Sequence, residues 1–293
     1  MQLVPLGPDF GAEVRGVTIQ DVARDAAVYR QVRAAFEEHS VLLFRGQELT
    51  DEDQLAFSSR FGPPEPTKVN AIGSGTFYVH LRNIDPETGR IVPTSHRLWL
   101  TNKANQFWHT DSSFKAVPAL TSILSGRIIP PSGGETEFVS TRRAFERLPE
   151  SRRARLREMV ALHSFATSRD RISPTLMNDE ERRSLPPIRW RLVWRNPVNN
   201  TESLYIASHI FAIEGRESEG RALIDELEAL ATAPGRTWEH SWRAGDVVMW
   251  DNRATMHRGR PWPEDIGRYM VRATISATAA DGLELVRPMA LAA

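Results

Sequence analysis

The feature that most limits the fold open to this chain is the length and spacing of its apolar runs. They are of strand length, Gly- and Pro-rich turns separate them, and there is no regular strand–helix alternation of the kind a parallel sheet needs. Val41-Leu42-Leu43-Phe44 reads as a buried strand, as does 119–129. Pro130-Pro131-Ser132-Gly133-Gly134 then reads as a turn and 136–139 as the next strand. Leu192-Val193-Trp194 and Ser203-Leu204-Tyr205-Ile206 flank the turn-rich Asn196-Pro197-Val198-Asn199-Asn200 as a hairpin, and 247–250 and 268–276 form two further strands.

Helical spacing is found at 24–39, where Val28, Val32, Ala35 and Phe36 share a face. A second helix is capped by Thr50 and ends near Arg60, before Phe61-Gly62-Pro63-Pro64. Residues 141–162 and 216–231 also read as helices. Short strands outnumber helices, so the class is mainly β with flanking helices, a β-sandwich or jelly roll. A chain of 293 residues with 41% hydrophobic content suits one domain over 1–293. Periodicity is poor over 65–107, which reads as long loops with a few short strands, and this stretch and 163–190 read as loop or lid insertions.

Composition narrows the function. The 37 basic and 37 acidic residues balance, so no overall field draws the chain to nucleic acid or to a membrane surface. A small-molecule partner is the expectation. The absence of cysteine excludes disulfides, thiolate metal ligation and cysteine nucleophiles, which leaves nitrogen and oxygen for any metal site. The opening segment has no secretory pattern and no run has the length of a spanning helix, so a cytoplasmic location is expected.

Two of the eight histidines stand out. His109 lies in Phe107-Trp108-His109-Thr110-Asp111, where positions 109 and 111 point to one side of an extended chain. His257 follows the expected strand and Trp250-Asp251-Asn252-Arg253-Ala254-Thr255-Met256. Two imidazoles and a carboxylate form the facial triad of non-haem Fe(II) oxygenases, although the same set also suits catalytic zinc. Near the C-terminus Arg268 and Arg272 fall on one side of a strand. They either face solvent or internal acids on an edge strand, or they bind an anionic ligand, for which the guanidinium fork is suited. Thr136, just after the Gly-Gly turn, can add a hydroxyl donor.

The segments Ala104-Asn105-Gln106-Phe107-Trp108-His109-Thr110-Asp111-Ser112-Ser113-Phe114, Pro130-Pro131-Ser132-Gly133-Gly134-Glu135-Thr136-Glu137-Phe138, and Gly245 to Arg260 resemble the motifs of the taurine/2,4-dichlorophenoxyacetate dioxygenase family. The similarity is closer to the aryloxyacetate branch and spans nearly the whole chain, including Gly11-Ala12, Val41 to Gln47 and Phe61-Gly62-Pro63. The resemblance implies a double-stranded β-helix (jelly roll) core and dependence on Fe(II), 2-oxoglutarate and O2. It further implies that His109, Asp111 and His257 bind iron, and that Thr136 and Arg268 hold the distal carboxylate of 2-oxoglutarate. Arg272 would lie near the metal-bound end of the cosubstrate and near the substrate's acid group.

For the substrate, the resemblance points to Asn105, Lys68 and His209 beside Arg272, with a solvated loop position for Lys68 and a structural role for His209 as the alternatives. The segment before Lys68 is shorter than in that branch, which puts this match in doubt. The implied reaction is hydroxylation of a small anionic substrate of the aryloxyalkanoate type, with ether cleavage following. The runner-up is a taurine, alkylsulfonate or sulfate-ester substrate. A homo-oligomer, dimer or tetramer, is common in the family. Outside it, a zinc hydrolase leaves Thr136, Arg268 and Arg272 without a shared role, and a non-catalytic carboxylate-binding jelly roll leaves the three metal-type ligands without one.

Overall fold

The computed structural model describes residues 1–67, 75–216 and 219–289. Among them strands outnumber α-helices, fifteen to ten, and the architecture is sheet-rich with helices outside. The largest sheet has seven strands in the spatial order Gln2–Pro5, Ala12–Arg15, Val41–Phe44, Val247–Asp251, Ala119–Ile128, Tyr269–Ser276 and Tyr78–Arg82. A three-stranded sheet sets Thr136–Ser140 between Thr237–His240 and Thr255–Gly259, antiparallel on both sides. A second one joins Ile210–Ile213, Val160–His163 and Ile188–Arg191.

The apolar runs follow from burial on both faces. In Val41–Phe44 and Val247–Asp251, alternate side chains enter different clusters. Leu42, Phe44, Val247 and Met249 pack with Val32, Phe36 and Phe57 from the helices Ala26–His39 and Asp51–Ser59. Val41, Leu43, Val248 and Trp250 pack instead with Phe138 of the three-stranded sheet. A strand buried on both faces has no polar alternation to show, so four-residue runs of uninterrupted apolar side chains are its signature. Both helices begin on side-chain caps, Asp25 accepting from Ala27 and Val28 and Thr50 accepting from Asp53.

Several elements depart from the sequence reading. Residues 141–162 are two short helices, Thr141–Glu146 and Glu150–Arg157, followed by the strand Val160–His163. Pro149 occupies the cap between the helices and breaks the run. The region 65–107 holds a short edge strand, Tyr78–Arg82, as expected there, but also a helix, Arg97–Ala104, whose cap is the His96 imidazole and which the scattered glycines and prolines conceal. The region 163–190 carries the helices Phe165–Asp170 and Asp179–Ser184. No helix among the described residues is long and apolar enough to cross a membrane.

The chain crosses from the seven-stranded to the three-stranded sheet at residues 251–255. Arg253, only 1% exposed, anchors that crossing. Its guanidinium pairs with Asp251 at 2.9 Å and with Glu37 of the helix Ala26–His39 at 2.7 Å. Removing the cation leaves Asp251 buried without a counterion and Glu37 with Arg33 as its remaining cationic partner among the described residues. Arg253→Ala is therefore expected to lower the unfolding free energy by about 3–5 kcal/mol, read from the midpoint and slope of a urea melt.

Candidate active site

Immediately after the crossing, Thr255–Gly259 pairs with Thr136–Ser140 so that His257 lies opposite Phe138. His257 and His109 exchange main-chain hydrogen bonds, His109 N–H to His257 O at 3.0 Å and His257 N–H to His109 O at 2.8 Å. Asn252, in the crossing itself, fixes the rest of the 109–111 segment. Its Oδ1 accepts from the Asp111 N–H (3.0 Å) and from Trp250 Nε1 (3.1 Å). Its carbonyl accepts from Thr110 Oγ1 (2.7 Å), and its Nδ2 donates to Ser122 Oγ (3.1 Å). Ser122 Oγ in turn donates to Asp111 Oδ2 at 2.7 Å.

One ligand-capable atom from each of His109, Asp111 and His257 lies within 4.8 Å of the others. Among the described residues no other group of histidines and carboxylates meets this condition. His109 Nδ1 donates to the Phe107 carbonyl at 2.7 Å, which fixes the tautomer and leaves the Nε2 lone pair facing Asp111. His257 Nε2 is 3.6 Å from Asp111 Oδ2. Burial pulls both imidazoles below their ordinary range, keeping them neutral and able to ligate. Burial alone would raise the Asp111 carboxyl. The adjoining Arg272 guanidinium above all, helped by the Ser122 hydroxyl, outweighs it, so the group ends well below the usual carboxylate range. Arg272 Nη1 donates directly to Asp111 Oδ1.

His109 and His257 line one cavity together with Thr136, Arg268 and Arg272. Arg268 is 6% exposed, stacks over Trp262 with its guanidinium carbon 5.0 Å from the ring centre, and donates to the Gly134 carbonyl at 3.2 Å. It has no carboxylate partner among the described residues. Its Nε is buried without an acceptor, and burial lowers its pKa to about 10, which still leaves a cation at neutral pH. Gly134 has φ +75°, and a Cβ there would lie 3.1 Å from Arg268 Nε, so the Gly-Gly turn lets the main chain approach the guanidinium. Thr136 Oγ1 accepts from Trp242 Nε1 at 2.9 Å, leaving its own hydrogen free to donate into the cavity.

A larger cavity of about 780 Å³ adjoins the first, sharing Leu81, Asn105, His109 and Arg272. His209 lines it, as do Asp111, Phe114, Phe165 and Arg169. The structure thus brings together every site residue read from the sequence except Lys68, which lies outside the described residues. Sequence reasoning passed over Asn252 and Ser122, although Asn252 sits inside the quoted motif between Asp251 and Arg253. It also passed over Arg169, whose neighbourhood carries no periodicity that marks it.

Two neutral imidazoles and a carboxylate at the meeting point of two cavities, one of them carrying a buried cation with no carboxylate, define the class of a metal-dependent oxygenase that admits an acidic cosubstrate. The comparisons make this specific. A family model described as "Taurine catabolism dioxygenase TauD, TfdA family" matches residues 2–274, and the chain belongs to that family. It is an Fe(II)- and 2-oxoglutarate-dependent dioxygenase, an oxidoreductase.

The chain is similar to an alpha-ketoglutarate-dependent 2,4-dichlorophenoxyacetate dioxygenase of Cupriavidus pinatubonensis, 37% identical over 275 residues, covering 92% of this chain and 96% of the relative. An (S)-phenoxypropionate/alpha-ketoglutarate-dioxygenase of Sphingobium herbicidovorans is 33% identical over 94% of each chain. Among solved structures, AAD-2 in complex with Mn(II) and N-oxalylglycine matches with a TM-score of 0.86 and 35% identity, covering 94% of this chain and 97% of that one.

Asn252→Ala removes the acceptor of the Asp111 N–H and the donor to Ser122. The expected outcome is roughly tenfold or greater weakening of metal binding, as seen when groups that orient metal ligands are lost, measured by Fe(II) or Mn(II) titration of folded protein.

Proposed function

We propose that His109, Asp111 and His257 hold Fe(II), and that Thr136 and Arg268 bind the distal carboxylate of 2-oxoglutarate. Arg272 faces the metal-bound end of the cosubstrate. The observation that carries this reading is the buried Arg268 guanidinium without a carboxylate of its own. An unpaired buried charge is costly, so such a site is complementary to an anion brought from outside. The Mn(II) and N-oxalylglycine bound by the similar AAD-2 are an inert divalent metal and an isostere of 2-oxoglutarate, which supports the same assignment.

The bound iron, 2-oxoglutarate and O2 supply the oxidising power, with succinate and carbon dioxide as coproducts. The protein's own work is orientation and exclusion of water. Arg272 and Ser122 occupy the two oxygens of Asp111 and hold that carboxylate at one angle to the imidazoles. Leu81, Asn105 and His109 stand between the cosubstrate cavity and the larger one, which receives the substrate. Asn105 and His209 line that space.

For the substrate we favour an aryloxyalkanoate-type carboxylate hydroxylated at the carbon bearing the ether oxygen, after which the product collapses to a phenol and a carbonyl compound. The names of the similar enzymes support this, as do Phe114, Phe165, Val79 and Ile188, which give the cavity an apolar wall. The same reading treats 1–293 as one catalytic domain with the seven- and three-stranded sheets as a double-stranded β-helix. It also assigns the enzyme to the cytoplasm, where 2-oxoglutarate is available.

Anaerobic titration of the Fe(II)-loaded protein with 2-oxoglutarate should produce the weak visible charge-transfer band of a chelated 2-oxo acid. Addition of phenoxyacetate should shift that band, whereas a shift with taurine and none with phenoxyacetate would overturn the substrate class. His109→Ala, Asp111→Ala and His257→Ala are each expected to lose the band and turnover while remaining folded. Arg268→Ala should raise the 2-oxoglutarate concentration for half-saturation by roughly 30-fold or more, the usual consequence of removing one member of a buried charge pair. An unchanged concentration dependence removes Arg268 from its role.

A further inference from the structure

Four arginines are buried among the described residues: Arg142, Arg169, Arg253 and Arg268. Three have their charge accounted for. Arg253 pairs with Asp251 and Glu37, Arg142 donates to the main-chain carbonyls of Glu37 and Glu38, and Arg268 faces the cosubstrate in the reading above. Arg169, in the helix Phe165–Asp170, is 7% exposed and has no carboxylate partner among the described residues. Its one side-chain hydrogen bond is from Nη1 to the neutral Ser168 hydroxyl, at 3.0 Å.

The substrate cavity points to the same residue. Its lining carries four cationic side chains, Arg97, Lys115, Arg169 and Arg272. Arg97 is paired with Glu181, Lys115 with Glu65 at 2.6 Å, and Arg272 with Asp111. Among the described lining residues, Arg169 is the one cation without a carboxylate partner. Although burial and the neighbouring Arg272 lower its pKa to about 9, it remains charged at neutral pH.

Its setting is built for orientation. The guanidinium carbon lies 4.0 Å from the centre of the Phe165 ring, and Phe165 packs on Phe114 with ring centres 4.3 Å apart. Ser168 Oγ, which accepts from Arg169, is 3.0 Å from His209 Nδ1. Ser168 Oγ is also 3.3 Å from the Phe165 carbonyl; when its hydrogen turns instead to Nδ1, the neutral His209 carries its own hydrogen on Nε2 and becomes a second donor lining the cavity. The His209 ring centre is 6.1 Å from that of His109, so this chain of polar groups ends beside the metal centre.

We propose that Arg169, braced by Ser168 and His209, binds the carboxylate of the substrate and is the residue that makes the enzyme select an anion over a neutral aryl ether. The assignment deepens the aryloxyalkanoate reading and rests on it. Arg169 supplies the charge, His209 a directional donor, and Phe114 and Phe165 the face for an aryl ring. Arg272, held by Asp111, remains with the metal and the cosubstrate.

The test compares phenoxyacetate with its neutral analogue 2-phenoxyethanol, titrated into wild type and R169Q while tryptophan fluorescence reports binding to the metal-free protein. The amide keeps a donor for Ser168 and removes the charge. R169M, which keeps an apolar stem against Phe165, gives the same readout if the amide variant folds poorly. Phenoxyacetate binding should weaken roughly 30-fold or more, with 2-phenoxyethanol unchanged within about twofold, so that the preference for the acid collapses. Equal affinity of the wild type for both compounds, or an unchanged ratio in folded variants, overturns the proposal. The 2-oxoglutarate band of the Fe(II) protein, recorded in parallel, should be identical in wild type and variant. Its absence from the wild type would sink the cosubstrate reading, whereas the fluorescence ratio reports on Arg169 independently.

Discussion

The site depends on a three-residue passage from one sheet to the other. Asp251 ends a strand at the centre of the seven-stranded sheet, and Thr255 begins an edge strand of the three-stranded sheet. Between them Asn252 and Arg253 face opposite tasks. Arg253 ties the passage to the helix layer through Glu37, while Asn252 reaches the other way and holds Thr110 and Asp111. One short turn therefore sets the sheet packing and the spacing of the metal-type ligands at once. Both side chains are fully buried, where hydrogen bonds and ion pairs are costly to leave unmade, so the passage has little freedom to adopt another path.

That constraint explains why the three ligand-type residues are far apart in sequence and rigid in space. His109 and Asp111 lie on an irregular segment without a ladder of its own. The segment borrows order from the second sheet through the His109–His257 main-chain pair and from the crossing through Asn252. Loops that carry chemistry need such external supports, because their own main-chain groups cannot satisfy one another.

Much of this was legible in the sequence, and the limits have physical causes. Strands buried on both faces appear as unbroken apolar runs, so Val41–Phe44 and Val247–Asp251 could be placed from the sequence. The spacing of His109 and Asp111 and the pairing of Arg268 with Arg272 were visible as well, because ligand-type residues at strand spacing are rare enough to notice. The helix Arg97–Ala104 was hidden because its cap is an imidazole and its flanks are rich in turn formers. The 141–162 stretch read as one helix since its charged residues mask where Pro149 interrupts it and where Val160–His163 turns to strand. Asn252 and Ser122 were hidden for a different reason: an amide and a hydroxyl become important only when the fold brings their partners within reach, and no local pattern encodes that.

Arg169 extends the point to charge. Sequence counts 37 cationic and 37 anionic residues and finds balance, but balance over the whole chain says nothing about balance within a cavity. The folded chain spends its carboxylates unevenly. Glu37, Asp251 and Asp281 cluster around Arg33 and Arg253 beneath the helices, while Arg268 and Arg169 are buried at the two cavities with no carboxylate partner among the described residues. An excess of positive charge at both sites, separated by the Asp111–Arg272 pair, is the electrostatic form expected of a protein that must seat two acids side by side, one on each flank of a metal. The two acids are then sorted by shape. The cavity proposed for the cosubstrate is narrow and framed by Thr136, Trp262 and the Gly134 main chain that meets Arg268, whereas the cavity proposed for the substrate is wide and walled by Phe114 and Phe165.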